Sequence, residues 1–505
     1  MGETGKTSVL LTGPTSYLGR RLMLQLLDRR DIRLRTLVVD RRSLGEAAGA
    51  VAEVVEGNLL DVEVLRKATE GIDVAYFPVR FLGTDPEFDR QRKIFARMYR
   101  DACIQAGVRR IVFLGVLTRE HAEDESVNAM IEIGEILSAC PDRIQTIWLR
   151  AGFIVGSGSM LFEVLKNLTQ KMPFLPTPRW METRVSVIGA RDIKEYLVQA
   201  IDLPPGRSVE VEIGLEPRSI REMLAATARV MGLSRVFIPL PVTARRLSPT
   251  VLMLLTPFST RLASMFIHML ATAGKTHGAI SQEGARRHFP GISPAPFEVA
   301  VARAIEAIEQ EEVISRWTDS IARVTRTDAE EEISRSVFRD VREENFGGIA
   351  PEKIFRAVKS IGGEHGWFTY NLLWQIRGLI DKLFGGYGIS VGRRAESDLR
   401  VGDVLDVWKV IDLKESRRLL LEAQMKVGGK AWLEFRIEGN TLVQTAYHFP
   451  KGLMGRLYWY SMVPFHAFIF RDMIRSIIRQ AGGGGDASRG PHNSTRMPLK
   501  SIWMI

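Results

Sequence analysis

From Ser8 to about Ile201, short apolar runs alternate with longer stretches of helical periodicity. "SVLLTG", "LRTLVVD", "VAEVVEGN", "DVAYFPV", "RIVFLGVL" and "IQTIWLRAG" are apolar on consecutive residues. Strands buried on both faces have that pattern. Between them, "LGRRLMLQLLDRR" and "FDRQRKIFARMYRDACIQAG" repeat apolar residues every three or four positions, as amphipathic helices do. Strands alternating with helices predict an α/β fold on a doubly wound parallel sheet.

The pattern then changes twice. From about Pro204 to Trp317 it is mixed: "GRSVEVEIG" reads as a strand, and "PAPFEVAVARAIEAIEQEEV" as a helix. "SIREMLAATARVMG" reads as a helix with Ser219 as N-cap and Gly232 as C-cap. This stretch is expected to form a smaller substrate lobe. A charged connector, about Thr318 to Glu332, precedes a region that holds six of the nine tryptophans. There, residues 404–450 show strand alternation broken by "GG" and "GN", which predicts an antiparallel meander. A helix is expected to start near Pro464 and to end at "AGGGG". The expected domains are 1–320 and 333–481, with a low-complexity, disordered tail over 482–505.

Composition narrows the class. The 505 residues are 45% hydrophobic and 25% charged, ordinary values for a globular protein. The net charge of +10 comes from scattered basic residues with acidic ones between them, so a solvated surface is expected and no nucleic-acid partner. Two cysteines, Cys103 and Cys140, form no disulfide framework and read as small core hydrophobes. No secretory leader is expected before the strand at Ser8, and a cytoplasmic location follows. The most apolar region, residues 248–274, is interrupted by Pro257, Arg261 and His268, so a buried or interfacial helix pair is expected rather than a membrane span. The histidines are dispersed without paired spacing, and no metal site is expected.

Candidate chemistry begins at "SVLLTGPTSYLGRRL", Ser8 to Leu22, a strand, a turn and a helix. Gly13 and Gly19 stand where a dinucleotide-binding turn places its first and third glycines, for the tight turn and for close helix–strand packing. The middle position is Ser16, which adds a Cβ and a hydroxyl able to donate to a phosphate. The amides at the helix N-terminus still point at an anion. A glycine-bearing turn in an ordinary βα unit is the alternative; the flanking strand and helix favour the cofactor. Asp40 ends the second strand, where an acidic residue meets the ribose of NAD. Arg41 and Arg42 follow and can accept the 2′-phosphate of NADP. The choice between NAD and NADP stays open. Asn58, after the third strand, can bond adenine.

On "LTGPTSYLG", "VVEGNLLD", "GIDVAYF", "QAGVRRIVFLG", "IEIGEIL", "LRAGFIVGSGSMLFE", "MPFLPTPRW" and "RDIKEYL", the first 320 residues resemble an atypical, extended-type short-chain dehydrogenase/reductase of the NmrA-like, YbjT-like group. The resemblance implies that the turn Gly13, Thr15, Ser16, Tyr17, Leu18 and Gly19 lines the pyrophosphate. It implies that Asp40, Arg41, Arg42, Asn58 and Leu59 surround the adenosine, and that Phe77 and Arg80 approach the nicotinamide. Ordinary members use a Tyr-x-x-x-Lys pair in which the lysine lowers the tyrosine pKa. Here "ESVNAMIEIGEIL" places Ser126 and Met130 at those positions, and only Thr118 is near the usual serine. The proton relay is expected to be absent and the catalytic residues are unassigned. Glu132 and Glu135 on the same helix are candidate substitutes, with a solvated helix face the favoured reading; Arg80, Arg179 and Trp180 are expected near a substrate cleft.

Residues 333–481 resemble the DUF2867 family on "IGGEHGWFTYNLLWQIRGLIDKLFGG", "DLRVGDVLDVWKV", "AQMKVGGKAWLEFRI" and "LVQTAYHFPKGLMGRLYWYSMVPFHAFIF". The pattern is also similar to the START-like helix-grip (α+β) fold, which implies a sheet wrapped on a long C-terminal helix. An apolar cavity for a small hydrophobic molecule and a filled core are both open readings. In the last helix Phe465, Ile469, Met473 and Ile477 recur every fourth residue, with Arg471, Arg475 and Arg479 as a basic stripe. Packing on a sheet is favoured over peripheral contact with an anionic membrane. The expected function is NAD(P)-dependent oxidoreductase-like action on a hydrophobic small molecule. The alternatives are a non-catalytic NAD(P)-responsive protein and a membrane-peripheral lipid or quinone handler.

Overall fold

The computed structural model describes residues 5–77, 86–117, 125–240, 248–256, 258, 260–276, 280–310, 313–316, 333, 336, 338–362, 367, 399–405, 408–424, 429–450 and 452–482. The chain forms two units, residues 1–256 with 262–326, and residues 257–261 with 327–505.

The first unit alternates β1 (Thr7–Thr12), α1 (Tyr17–Leu27), β2 (Ile32–Val38), β3 (Glu53–Glu56), α2 (Val62–Thr69), β4 (Val74–Tyr76), α3 (Pro86–Gln105), β5 (Arg110–Val116), α4 (Glu125–Ser138) and β6 (Gln145–Ala151). After α5 (Ala190–Gln199) comes a seventh strand, β7 (Val209–Ile213). The sheet runs β7-β6-β5-β4-β1-β2-β3 with every neighbouring pair parallel. Successive residues of a strand face opposite sides, and both sides here are covered. Val9 and Leu11 of β1 join Leu22 and Leu26 of α1 and Ile193 and Leu197 of α5. Leu10, between them, joins Phe95 and Tyr99 of α3 and Ile133 of α4 on the other side. That double covering is why these strands read as unbroken apolar runs. The strand order reverses between β1 and β4, and in open α/β sheets ligands bind at such a switch point.

Helix ends follow their local chemistry. Ser16 caps α1 by accepting from Gly19 N. Ser219 caps α6 (Ile220–Val230) in a reciprocal box with Glu222, and Gly232 follows with a φ of 66°. The apolar region contains helices Ser248–Leu255 and Thr260–Thr276; among the described residues no helix is long and apolar enough to cross a membrane.

The second unit contains β8 (Phe338–Asn345), α7 (Pro351–Lys359), β9 (Val404–Leu405), β10 (Trp408–Lys414), β11 (Arg418–Ala423), β12 (Gly429–Glu438), β13 (Thr441–Pro450) and α8 (Gly452–Ala481). The strands β9 to β13 form an antiparallel meander, and β8 pairs with β13. A two-residue turn, Gly439-Asn440, joins β12 to β13, with Gly439 at a φ of 56°. One face of this sheet packs on α8: Leu419, Leu433 and Leu442 lie in one cluster with Ile469, Met473 and Ile477.

The expected helix start near Pro464 needs correction. α8 begins at Gly452 and carries Pro464 in its interior. A proline there costs about 3 kcal/mol through its missing N–H and its clash with the preceding turn. The first turns place Trp459 in ring contact with Phe338 and His448, a tertiary gain that local signals do not report. The connector over 318–332 and the tail beyond residue 482 lie outside the described residues, as does the Phe465 side chain.

Candidate functional site

The β1–α1 turn sits at the switch point. Gly13 has a φ of 73°, in the left-handed region that favours glycine. Its carbonyl accepts from Ser16 N at 3.1 Å and from Ser16 Oγ at 2.9 Å. Ser16 Oγ in turn accepts from Gly19 N at 3.1 Å. A Cβ at position 19 would come within 2.2 Å of Gly13 O. Gly19 therefore lets the helix close on the carbonyl of the turn itself. Ser16 is buried, and its hydroxyl is used in folding the turn. The α-helical bonding begins with Arg20 N on Ser16 O, at 3.0 Å. Ahead of it the Gly19 amide is taken by the Ser16 cap, and the Tyr17 and Leu18 amides stand at the helix N-terminus, where anions are favoured.

The side chains of Tyr17 and Leu18 turn away into the core, so these two residues offer backbone to a ligand. Tyr17 Oη donates to Ser157 O at 3.2 Å, and burial pushes its pKa up. Arg21 lies over the Tyr17 ring and donates to Ser157 O at 2.8 Å. Thr15 is half-buried. A small cavity lies beneath the turn, lined by Thr12, Ser16, Gly19, Tyr76, Phe77 and Leu197 among others.

Asp40 lies just beyond β2 and caps the 3-10 turn Arg41–Gly49. Its carboxylate accepts from Arg42 N at 2.9 Å and from the Arg42 guanidinium at 2.7 Å. The acid that suits a ribose diol and the base that suits a 2′-phosphate are thus held in one ion pair. Arg41 is exposed. Asn58 Oδ1 accepts from Leu60 N at 3.0 Å, closing the turn after β3, while the Leu59 side chain is buried. Phe77 follows β4 and sits in an aromatic cluster, its ring centroid 5.2 Å from Phe95 and 5.4 Å from Tyr99. Arg80 and Thr118 lie outside the described residues, as does the Ser126 side chain.

On α4, Met130 is buried in the core formed with α3 and touches the Arg92 guanidinium. Arg92 pairs with Asp89 at 3.2 Å, and both are buried. Burial lowers the Arg92 pKa, and Asp89 opposes that shift. Sequence reading missed this pair, because an i,i+3 Asp/Arg spacing on an amphipathic helix looks like a solvated face. Trp148 of β6 fills the space between β5 and α4: a Cβ at Gly134 would lie 2.2 Å from its ring, and one at Gly115 2.4 Å from its Nε1. Glu132 forms an ion pair with Lys93 at 2.7 Å and Glu135 is exposed, so both lie on a solvated face. Trp180 is buried and donates to Ser248 Oγ at 2.9 Å, while Arg179 is exposed. Burial pushes the Cys103 thiol up, and Cys140 is half-buried. Among the described residues no cluster of His, Cys, Asp and Glu could hold a metal ion.

The second unit carries buried polar groups on both faces of its sheet. Away from α8, Arg418 Nε lies 2.6 Å from Glu434 and its NH1 3.2 Å from Asp412, with both carboxylates buried. Tyr447 Oη donates to Glu434 at 2.8 Å. Towards α8 lie Gln444 and His448, each almost fully enclosed. Of the basic stripe on α8, Arg475 pairs with Glu344 of β8 at 2.9 Å, and Arg471 and Arg479 are exposed.

Residues 13–139 match the model of a family described as NAD(P)H-binding, and residues 333–473 match that of the protein family of unknown function DUF2867. The cofactor class of the first unit is therefore NAD(P). No curated protein matches the chain. Among solved structures, a nucleoside-diphosphate-sugar epimerase from Staphylococcus aureus is 16% identical, with 59% of this chain and 99% of that chain covered and a TM-score of 0.47. MoeE5, solved with UDP-glucose and NAD, is 15% identical over 60% of this chain and 99% of its own, with a TM-score of 0.46. A short-chain dehydrogenase/reductase superfamily protein from Agrobacterium tumefaciens with bound NAD is 16% identical over 61% and 98%, with a TM-score of 0.44.

Proposed function

We propose, for a chain that joins an NAD(P)H-binding domain to a DUF2867 domain, an oxidoreductase-like action on a hydrophobic small molecule without a Tyr-x-x-x-Lys dyad. The observation that carries this reading is the β1–α1 turn at the switch point, with Gly13 at a φ of 73° and no room for a Cβ at Gly19. When bound, the dinucleotide supplies or accepts a hydride. The chain's own residues do the rest. The Thr15 amide and the first amides of α1, those of Tyr17 and Leu18, hold the pyrophosphate. Asp40, Arg41, Arg42, Asn58 and Leu59 border the adenosine, and Phe77 the nicotinamide side. A cytoplasmic setting belongs to the same reading and suits the two cysteines, which form no disulfide.

A second reading is a non-catalytic protein that responds to NAD(P). It is favoured by Met130, a buried thioether at the position given to the relay lysine. The membrane-peripheral reading is weaker, because Ile469, Met473 and Ile477 already face the sheet.

Calorimetric titration with NADH and NADPH tests the common premise. Binding is expected to one or both, weakened at least tenfold in Gly13→Asp, and the tighter ligand reports the cofactor. No binding to either would sink the reading. Oxidation of NADH in the presence of quinones and aromatic aldehydes would then favour the enzyme; binding without turnover would favour the responsive protein.

A further inference from the structure

Two strands of the first unit, Phe174–Pro178 and Val236–Leu240, pair in parallel as a small sheet of their own. Leu175 and Thr177 are buried. Phe174 and Pro176 alternate with them and share the other face with Val236 and Ile238, their partners across the pair. Phe174 is 61% exposed, Val236 54% and Ile238 44%. The helix Ser248–Leu255 lies along the first of these strands. Ser248 Oγ accepts from Trp180 Nε1 at 2.9 Å at one end, and Leu255 O accepts from Lys171 Nζ at 2.6 Å at the other. That helix exposes Val251 and Leu254. Five of the ten large apolar side chains exposed in the described part of the first unit thus belong to this strand pair and the helix beside it. Single exposed apolar residues are ordinary, whereas a gathering of them marks an interaction surface.

Charge narrows the partner. Residues 164–181 and 223–282 contain both strands and that helix, and they hold nine Lys and Arg but no Asp or Glu. The chain has 59 Asp and Glu in 505 residues, so an even spread would place about nine acids there. The acids that bound these stretches are each paired: Glu163 with Lys166 at 2.8 Å, Glu182 with Arg221 at 2.7 Å and Glu222 with Arg184 at 2.8 Å. Lys171 and Arg179 stand exposed at the two ends of the strand Phe174–Pro178. The outer edge of the pair is poorly suited to adding a strand. Val236 N donates to Pro173 O at 3.0 Å, so the amides of alternate residues from Val236 face the partner strand and those between them face outward. One of the outward positions is Pro239, which has no amide hydrogen to offer. The surface presents side chains rather than a ladder.

We propose that this face of the first unit docks on an anionic lipid bilayer. Phe174, Val236 and Ile238 enter the boundary between headgroups and acyl chains, and Lys171 and Arg179 lie among the phosphates around them. A bilayer supplies both complements at once, hydrocarbon for the apolar side chains and a plane of anions for a stretch of bases without acids. A second copy of the chain on the same face would set those bases against one another. The face is separate from the basic stripe on α8, whose apolar side is occupied by the second sheet. It does not depend on the dinucleotide.

The test sediments the full chain with vesicles of phosphatidylcholine alone and of phosphatidylcholine mixed with phosphatidylglycerol. Binding is expected to the mixed vesicles, at least tenfold tighter than to the neutral ones and weakened by added salt. Phe174→Asp and Ile238→Asp, each checked for folding by circular dichroism, should weaken it at least tenfold, and Arg179→Glu at least threefold. Val62→Asp, at an exposed apolar residue of α2, should leave it unchanged, as should Arg471→Ala combined with Arg479→Ala on α8. No binding to the mixed vesicles, equal binding to the neutral ones, or full binding by both aspartate variants would overturn the proposal. So would loss of binding in the α8 variant. If one aspartate variant fails to fold, the other and Arg179→Glu decide. A dimer of the unaltered protein in sedimentation velocity that Phe174→Asp dissociates would give the face to a second copy and overturn the proposal as well.

Discussion

The two sheets bury polar chemistry in opposite ways. In the parallel sheet the fully enclosed polar side chains of the strands are small hydroxyls, such as Thr12, Thr36 and Thr146. Arg110, at the very start of β5, is the exception, and it donates to the carbonyls of Ala200 and Ile201. In the antiparallel sheet, mid-strand positions hold Asp412, Glu434, Gln444, Thr445 and His448, all buried. Topology explains the contrast. Parallel crossovers place helices on both faces, so the strands must be apolar on both faces. Ligand chemistry is then pushed to the strand ends, where the β1–α1 turn lies. The antiparallel meander needs no crossover helices, and its strand middles are available for polar recognition. The parallel sheet keeps large polar side chains off its strand middles, and the antiparallel sheet buries them there.

The contrast breaks most sharply if Glu434 proves dispensable. Glu434→Ala leaves the half-buried Arg418 with one carboxylate fewer and the Tyr447 hydroxyl without its acceptor, and should cost about 3 kcal/mol of second-unit stability in urea unfolding. The exposed Arg66–Glu63 pair of the first unit sets the other limit: Arg66→Ala should produce no measurable change. Equal effects would mean that burial does not set the worth of these two ion pairs.

A smaller effect is expected within the parallel sheet. Gly134→Ala forces a Cβ against the Trp148 ring, and overpacking of this kind costs about 1–3 kcal/mol. Thermal unfolding of the first unit reads it out. An unchanged transition would mean that α4 and β6 are not closely fitted. Ser219→Ala removes one half of the capping box on α6 and should cost about 1 kcal/mol by the same measurement.

The smallest effect is a pH dependence. The Ser219 backbone N–H, and after it Arg184, hold the Glu222 carboxyl below its ordinary value. A depressed carboxyl stabilises the fold fully above the unfolded value of about 4.3, and that contribution is lost as the pH falls through the lower folded value. Glu222→Gln should therefore lower the melting temperature slightly at about pH 7, with the difference from the parent vanishing near about pH 3. A difference independent of pH would assign the effect to the side-chain hydrogen bond rather than to the charge.

Much of this architecture was legible in the chain. Consecutive apolar residues marked β1 to β6 because a doubly covered strand has no polar face to show. Glycine spacing marked the β1–α1 turn because backbone conformation at Gly13 and space at Gly19 are properties of single residues. Ser219 marked its helix because a cap is a contact over three residues. The misread start of α8 and the unforeseen Asp89–Arg92 pair share one cause. Each depends on what packs against the residue, and a helical pattern that looks solvated gives no sign of it.

The alternation of strand and helix, the glycine-bearing turn after β1 and the antiparallel meander follow from the order of residues alone, because propensity, spacing and local hydrogen bonds act over a few residues. Tertiary packing alone brought Arg110 to the carbonyls of Ala200 and Ile201, paired Arg475 with Glu344, and enclosed Gln444. Burial and pairing are set by residues far apart in the chain, and long-range packing alone brings them together.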